Sequence, residues 1–138
     1  MDESNGVVKV TNGQVGRGAN TRVVVAKRGS PPDSVCATIE SVTGAIVGFA
    51  QPGVAVHIRT AAGRTTALTL TNNVWATARW IWNAHHMDSG SSEGFTGLGS
   101  FEAPGFYREG QPLPPLPWRV CARTVGNTVQ GKVWNAGA

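Results

Sequence analysis

Apolar residues recur at every second position through most of this 138-residue chain, and that period restricts its fold more than any other feature. Val35, Ala37 and Ile39 alternate with Cys36, Thr38 and Glu40. Val54, Val56 and Ile58 alternate with Ala55, His57 and Arg59, and Trp118, Val120 and Ala122 with Arg119, Cys121 and Arg123. Successive side chains of a strand point to opposite sides, so each segment offers one apolar and one wetter face, as in an antiparallel sheet packed on one side. Further strands are expected at residues 7–10, 22–27, 45–50, 65–71, 74–82 and 128–134. Asn12-Gly13, Pro31-Pro32-Asp33, Pro52-Gly53, Ala62-Gly63 and Gly126-Asn127 punctuate them as turns. The Ala-rich segment 74–82 also suits a helical turn, but its β-branched and aromatic residues favour a strand. Gly126 and Asn127 both tolerate the positive φ of a tight turn, so residues 124–128 read as the hairpin joining the last two strands. Many short strands with no helix between them predict an all-β fold, a single antiparallel β-sandwich of jelly-roll type occupying residues 1–138 as one domain.

Composition narrows the function classes. Hydrophobic residues make up 41% of the chain and charged residues 14%, against about 25% charged in an ordinary soluble domain. The surface must then be covered by Thr, Ser, Asn, Gln and Gly, which disfavours disorder and a charged helical bundle. No apolar run approaches the roughly 20 residues of a membrane-spanning helix, so no membrane insertion is expected. The start, Met1-Asp2-Glu3-Ser4-Asn5, has neither a basic region nor an apolar one, and no signal peptide is expected. The net charge of +4 permits contact with a polyanion. Lys9, Arg17, Arg22, Lys27 and Arg28 near one end, and Arg119, Arg123 and Lys132 near the other, are spread along expected strands with no basic block or aromatic-basic RNA motif. Direct nucleic-acid binding is not expected.

Residues 83–117 break the pattern and read as one long Gly/Ser/Pro-rich loop, within which 94–101 has room for a short strand. Loops of this length are usually functional or mobile. This one carries His85, His86, Phe95, Phe101, Phe106 and Tyr107, which together form a candidate contact surface. Of the five Trp residues, Trp80, Trp82 and Trp118 are in phase with small apolar neighbours and are expected in the core. Trp75 and Trp134 share faces with Thr77 and Arg79, or with Gln130 and Lys132, and join the candidate contact surface. The run Gln111 to Pro117 reads as a stiff connector leading into the Trp118 strand, with a PxxP recognition peptide as the alternative.

Support for catalysis or metal binding is thin. Cys36 and Cys121 fall on the wetter faces of separate strands; free thiols are the favoured reading, and pairing requires those strands to be neighbours. His85 and His86 are adjacent, so on a strand they point apart and share no metal. No zinc spacing, Gly-x-Ser-x-Gly elbow, P-loop or HExxH pattern occurs. A sandwich glycosidase needs two carboxyls about 5 to 10 Å apart, and only Glu93, Glu102 and Glu109, in the loop-rich region, have scope to converge. The chain is therefore expected to be non-catalytic, with no cofactor and no metal.

Three stretches, Val10-Thr11-Asn12-Gly13-Gln14-Val15, Pro32-Asp33-Ser34-Val35-Cys36-Ala37-Thr38-Ile39, and the run from Trp118 through Gly126-Asn127 to Lys132-Val133-Trp134-Asn135-Ala136-Gly137, resemble the concanavalin A-like (LamG-like) sandwich modules of actinobacterial and actinobacteriophage proteins, often phage minor tail proteins. The last stretch is the most specific. A Trp entering a strand, a Gly-Asn turn and a Lys-Val-Trp ending form the final hairpin there. The catalytic relatives of that fold carry a Glu-x-Asp-x-x-Glu strand, which this chain lacks. The resemblance implies a bacteriophage virion structural protein, a tail or other accessory surface component made in the host cytoplasm. Its expected partners are other virion proteins, copies of itself as a homo-oligomer, and cell-surface carbohydrate. A free lectin-like carbohydrate-binding module is the alternative.

Overall fold

A computed structural model describes residues 2–4, 7–9, 33–41, 51–73, 81–108, 111–112 and 114–137. Every regular element among them is a strand: β1 (Asp2–Ser4), β2 (Val7–Lys9), β3 (Ser34–Ile39), β4 (Gly53–Ala61), β5 (Arg64–Asn73), β6 (Ile81–Asp88), β7 (Phe95–Glu102), β8 (Trp118–Val125) and β9 (Thr128–Asn135). Strands β1 and β2 pair as a small hairpin. The rest form two antiparallel sheets, one of order β4-β5-β6-β7 and one of order β3-β8-β9. The strands expected at 22–27 and 45–50 lie outside the described residues, as do Trp75, Trp80 and most of the segment 74–82.

The two sheets share one core, which makes the architecture a sandwich. Val54, Leu70 and Trp82 from the four-stranded sheet meet Val120, Ala122 and Val133 from the three-stranded sheet, with Val35, Ala37, Ile39, Phe101 and Phe106 packed around them. Period-two alternation produces this directly, since the expected apolar face of β8 is buried and that of β3 is partly buried while its other face is exposed. Trp82 and Trp118 are buried, as their phase indicates. Phe106 fits between them, its ring 6.5 Å from Trp82 and 5.4 Å from Trp118, edge to face with both. The sheets approach closely at Gly131, where a Cβ would stand 2.6 Å from Leu70 Cδ2 and 2.8 Å from Phe101 Cζ. A side chain there would overpack the interior.

Two turns follow their chemistry. Gly126 takes φ 56° in the β8–β9 hairpin, between the paired residues Val125 and Thr128. Ala62 and Gly63, at φ 49° and 75°, give the β4–β5 hairpin two left-handed central residues, the geometry that matches the twist of its strands. Both edges of the four-stranded sheet are bulged. On β4, His57 and Ile58 together face Ala67, and His57 adopts φ 51°. The alternation of Val54, Val56 and Ile58 therefore breaks, and Ile58 drops out of phase with the other two. On β7, Leu98 is the extra residue between Gly97 and Gly99. Bulged edges resist further strand pairing.

The four-stranded sheet is also packed on both sides. Ala67, Thr69 and His85, which alternate with the core-facing residues of β5 and β6, are all buried. Packing on one side, as the alternation suggested, holds only for the three-stranded sheet.

The expected free thiols are instead a disulfide. Cys36 and Cys121 stand opposite each other in the β3–β8 register with Cα atoms 4.1 Å apart, and their sulfurs are bonded. Spacing along the chain could not reveal this, because the pairing depends on two strands 85 residues apart becoming neighbours. The Pro-rich connector is tied down by its carbonyls. Pro114 O accepts from Trp118 Nε1 at 2.9 Å and Pro117 O accepts from Ala136 N at 2.9 Å.

Two stability outcomes are expected. Replacing Phe106 with Ala removes the wedge between two buried indoles and should cost about 3 kcal/mol. Denaturant titration followed by tryptophan fluorescence measures it, and an unchanged midpoint would show that the sheets do not depend on this ring. The Cys36→Ala/Cys121→Ala double variant should lose about 2–4 kcal/mol, the range for a bridge closing a long loop. Reductant should shift the wild type by the same amount and leave the double variant unmoved.

Candidate functional site

Part of the segment expected as one long loop is sheet. Residues 83–88 complete β6, and 95–102 form β7 along its edge. Cross-strand pairing to β6 holds the weakly patterned sequence Phe95-Thr96-Gly97-Leu98-Gly99-Ser100-Phe101-Glu102 extended. The turn between them is built by Asp88. Its carboxylate accepts from Arg64 Nε at 2.6 Å, from Arg64 Nη2, and from Gly90 N at 2.9 Å, while Ser91 Oγ donates to the Asp88 carbonyl. Ser89 clamps this turn to β5, accepting from Thr65 N through its hydroxyl and donating to Thr65 O through its amide. The Arg64 guanidinium, followed by the Gly90 amide, lowers the Asp88 pKa from its ordinary 3.8 to about 2, against the opposing effect of burial.

Four of the eight residues of the candidate contact surface pack inward. His85 and Tyr107 are buried, and Phe101 and Phe106 pack against the core. The Gly, Ser and Pro around them mimic a solvent loop, whereas Phe101 and Phe106 line the core and His85 lies on the second face beside Thr69. Phe95 is half-buried, 5.0 Å edge to face from His85. His86 is half-buried on the opposite side of β6 from His85, as alternation requires. Trp75 lies outside the described residues. Trp134 remains as an exposed ring, 37% accessible.

His57 marks a second place of interest. From the β4 bulge its Nε2 shares a 2.6 Å hydrogen bond with Thr124 Oγ1 on the other sheet and stands 3.6 Å from Asp33 Oδ1. Both contacts are made by the same ring nitrogen. This is unlike a hydrolytic relay, in which the carboxylate and the hydroxyl engage opposite nitrogens, and it works as a polar clasp between the sheets.

The outer face of the three-stranded sheet is the third place and the most open one. Trp134, Lys132 and Gln130 of β9 lie opposite Arg119, Cys121 and Arg123 of β8 in register. Lys132 Nζ sits 5.1 Å from the centre of the Trp134 ring. Arg119 Nη1 donates to Thr38 Oγ1 and Arg123 Nε donates to Gln130 Oε1, each at 2.8 Å. These partners are neutral, and among the described residues no carboxylate pairs with either guanidinium. Sequence reading picked out Trp134 and missed the three cations as a group. Their signal was present, since Arg119, Arg123 and Lys132 occupy alternate positions in two strands joined by an expected hairpin.

Of the three carboxylates that the glycosidase alternative names, the two described ones do not converge. Glu93 lies in the turn before β7 and Glu102 ends the strand, so the length of β7, about 23 Å at about 3.3 Å per residue, separates them. Glu109 lies outside the described residues. Among the described residues no three His, Cys, Asp or Glu side chains gather as a metal site.

The fold and this face define an all-β sandwich protein with an open basic sheet. No family model matches the chain, and neither a curated protein nor a solved structure matches it.

The Asp88 turn makes an acid-stability prediction. A carboxyl held at about 2 in the folded chain adds stability at pH above its ordinary 3.8, and this is lost as pH falls toward 2. Asp88→Asn should be less stable than wild type at neutral pH, and the gap between them should narrow on acidification through that window. Thermal melts across the range measure it; a constant gap would show that the ionised carboxylate is not what holds the turn.

Proposed function

We propose that the protein is a non-catalytic, concanavalin A-like sandwich component of a bacteriophage virion, in the tail or at another accessory surface position. It works through contacts with other virion proteins and with further copies of itself, and through attachment to host-surface carbohydrate. The observation that supports this reading is the terminal hairpin. The stretch from Trp118 to Trp134, which carries the resemblance to phage tail modules, forms β8 and β9 and sends one Trp inward and the other out onto an open face. Inward Trp118 anchors the fold, and outward Trp134 is left for recognition.

A free lectin-like module is the second reading, favoured by the exposed indole of Trp134, over whose ring the Lys132 ammonium lies 5.1 Å from the centre. Peptide mass spectrometry on density-purified particles separates the two. Stoichiometric enrichment in particles over the soluble fraction is the expected result, and copy number relative to the major capsid protein then distinguishes tail from capsid decoration. Recovery in the soluble fraction alone would refute the virion reading and leave the lectin.

A further inference from the structure

Among the described residues, the charged side chains that β3, β8 and β9 carry on the outer face of their sheet are all positive. These are Arg119, Arg123 and Lys132. Of the flanking carboxylates, Asp33 turns toward His57 at one end of β3, and Glu40, exposed and in phase with Cys36 and Thr38, stands just past the other end. Arg119 and Arg123 are four residues apart on one strand, hence about 13 Å, and Lys132 sits across from the residue midway between them. Trp134 faces Arg119 at one end of this array. The cations are thus spread over a flat surface instead of converging in a cleft, which suits a chain of separated negative charges better than one small anion.

The ring and the neutral side chains narrow the choice. A single indole gives one flat apolar surface for one ring of the ligand. Sheets that bind single-stranded nucleic acid set out several aromatic side chains for successive bases. Beside the cations stand a hydroxyl and an amide, Thr38 and Gln130, each already hydrogen-bonded to an arginine and so held in place. Hydroxyl, amide and indole next to fixed cations are the groups that recognise a sugar chain bearing acidic substituents. The disulfide between Cys36 and Cys121 crosses this same face and ties β3 to β8 beneath the ligand's path.

We propose that this face binds an acidic polysaccharide, with its anionic groups on Arg119, Lys132 and Arg123 and one sugar ring against Trp134. This rests on the carbohydrate-attachment part of the proposed function; whether the protein belongs to a particle is decided separately by mass spectrometry.

The test uses the full chain with polygalacturonate, its fully methyl-esterified form as an uncharged isostere, and oligo-dT, each titrated by calorimetry at low and moderate salt. Polygalacturonate should bind, and the esterified polymer should bind at least tenfold more weakly. Trp134→Ala should weaken polygalacturonate binding about tenfold, with Trp134→Phe restoring most of it. Arg119→Gln and Arg123→Gln should each weaken binding severalfold and flatten its salt dependence, while Arg59→Gln on the other sheet leaves it unchanged. Unaltered thermal midpoints confirm that the surface variants fold. Equal affinity for both polymers would overturn the acidic assignment while leaving carbohydrate attachment standing. No effect of Trp134→Ala would reduce the face to an ion exchanger, tighter binding of oligo-dT would make it a nucleic-acid surface, and no binding of polygalacturonate at low salt would refute the proposal outright.

Discussion

The packing of Phe106 between Trp82 and Trp118 is the contact on which the rest of the sandwich depends. The two indoles belong to different sheets, and the phenyl ring meets both edge to face, the arrangement that aromatic quadrupoles favour. Phe106 reaches this position from a tight turn after β7, where Phe106 N and Tyr107 N both donate to Ala103 O. Trp118 is held from the other side by Pro114 O on its Nε1. An indole N–H buried without a partner costs free energy, so the Pro-rich connector stabilises the core as well as leading the chain into β8.

The asymmetry between the sheets decides where recognition can occur. The four-stranded sheet is buried on both sides, with Leu70 and Trp82 facing one way and Ala67, Thr69 and His85 the other. The three-stranded sheet buries Val120, Ala122 and Val133 and leaves its other side open. Arginines on an open strand face cost little to keep charged, and their neutral partners hold them without cancelling that charge. The same side chains over a buried face would need carboxylate partners.

Parts of the site were legible in the sequence and parts were not. Trp134 could be placed outside because Gln130 and Lys132 share its phase, and Trp118 inside because Val120 and Ala122 share its own. His85, Phe101, Phe106 and Tyr107 could not be placed. Gly97 and Gly99 dilute the period in β7, and its conformation comes from pairing with β6 and not from local preference. The second buried face was equally hidden, because Thr69 and His85 are polar types that sequence reading assigns to solvent.

By itself the sequence determined the strands with strong alternation, the Gly126-Asn127 hairpin and the inward or outward direction of each Trp in β8 and β9. All of these follow from local rules: a period of two, and the φ that a tight turn demands. Only the tertiary structure decided the partner of Cys36, the seat of Phe106, the two-sided burial of the larger sheet and the gathering of Arg119, Arg123 and Lys132 with Trp134. Each of these depends on register between segments distant in the chain, as with the 85 residues that separate the two cysteines. Register is set by the sum of all the contacts in a folded sheet, and no single stretch of sequence contains that sum.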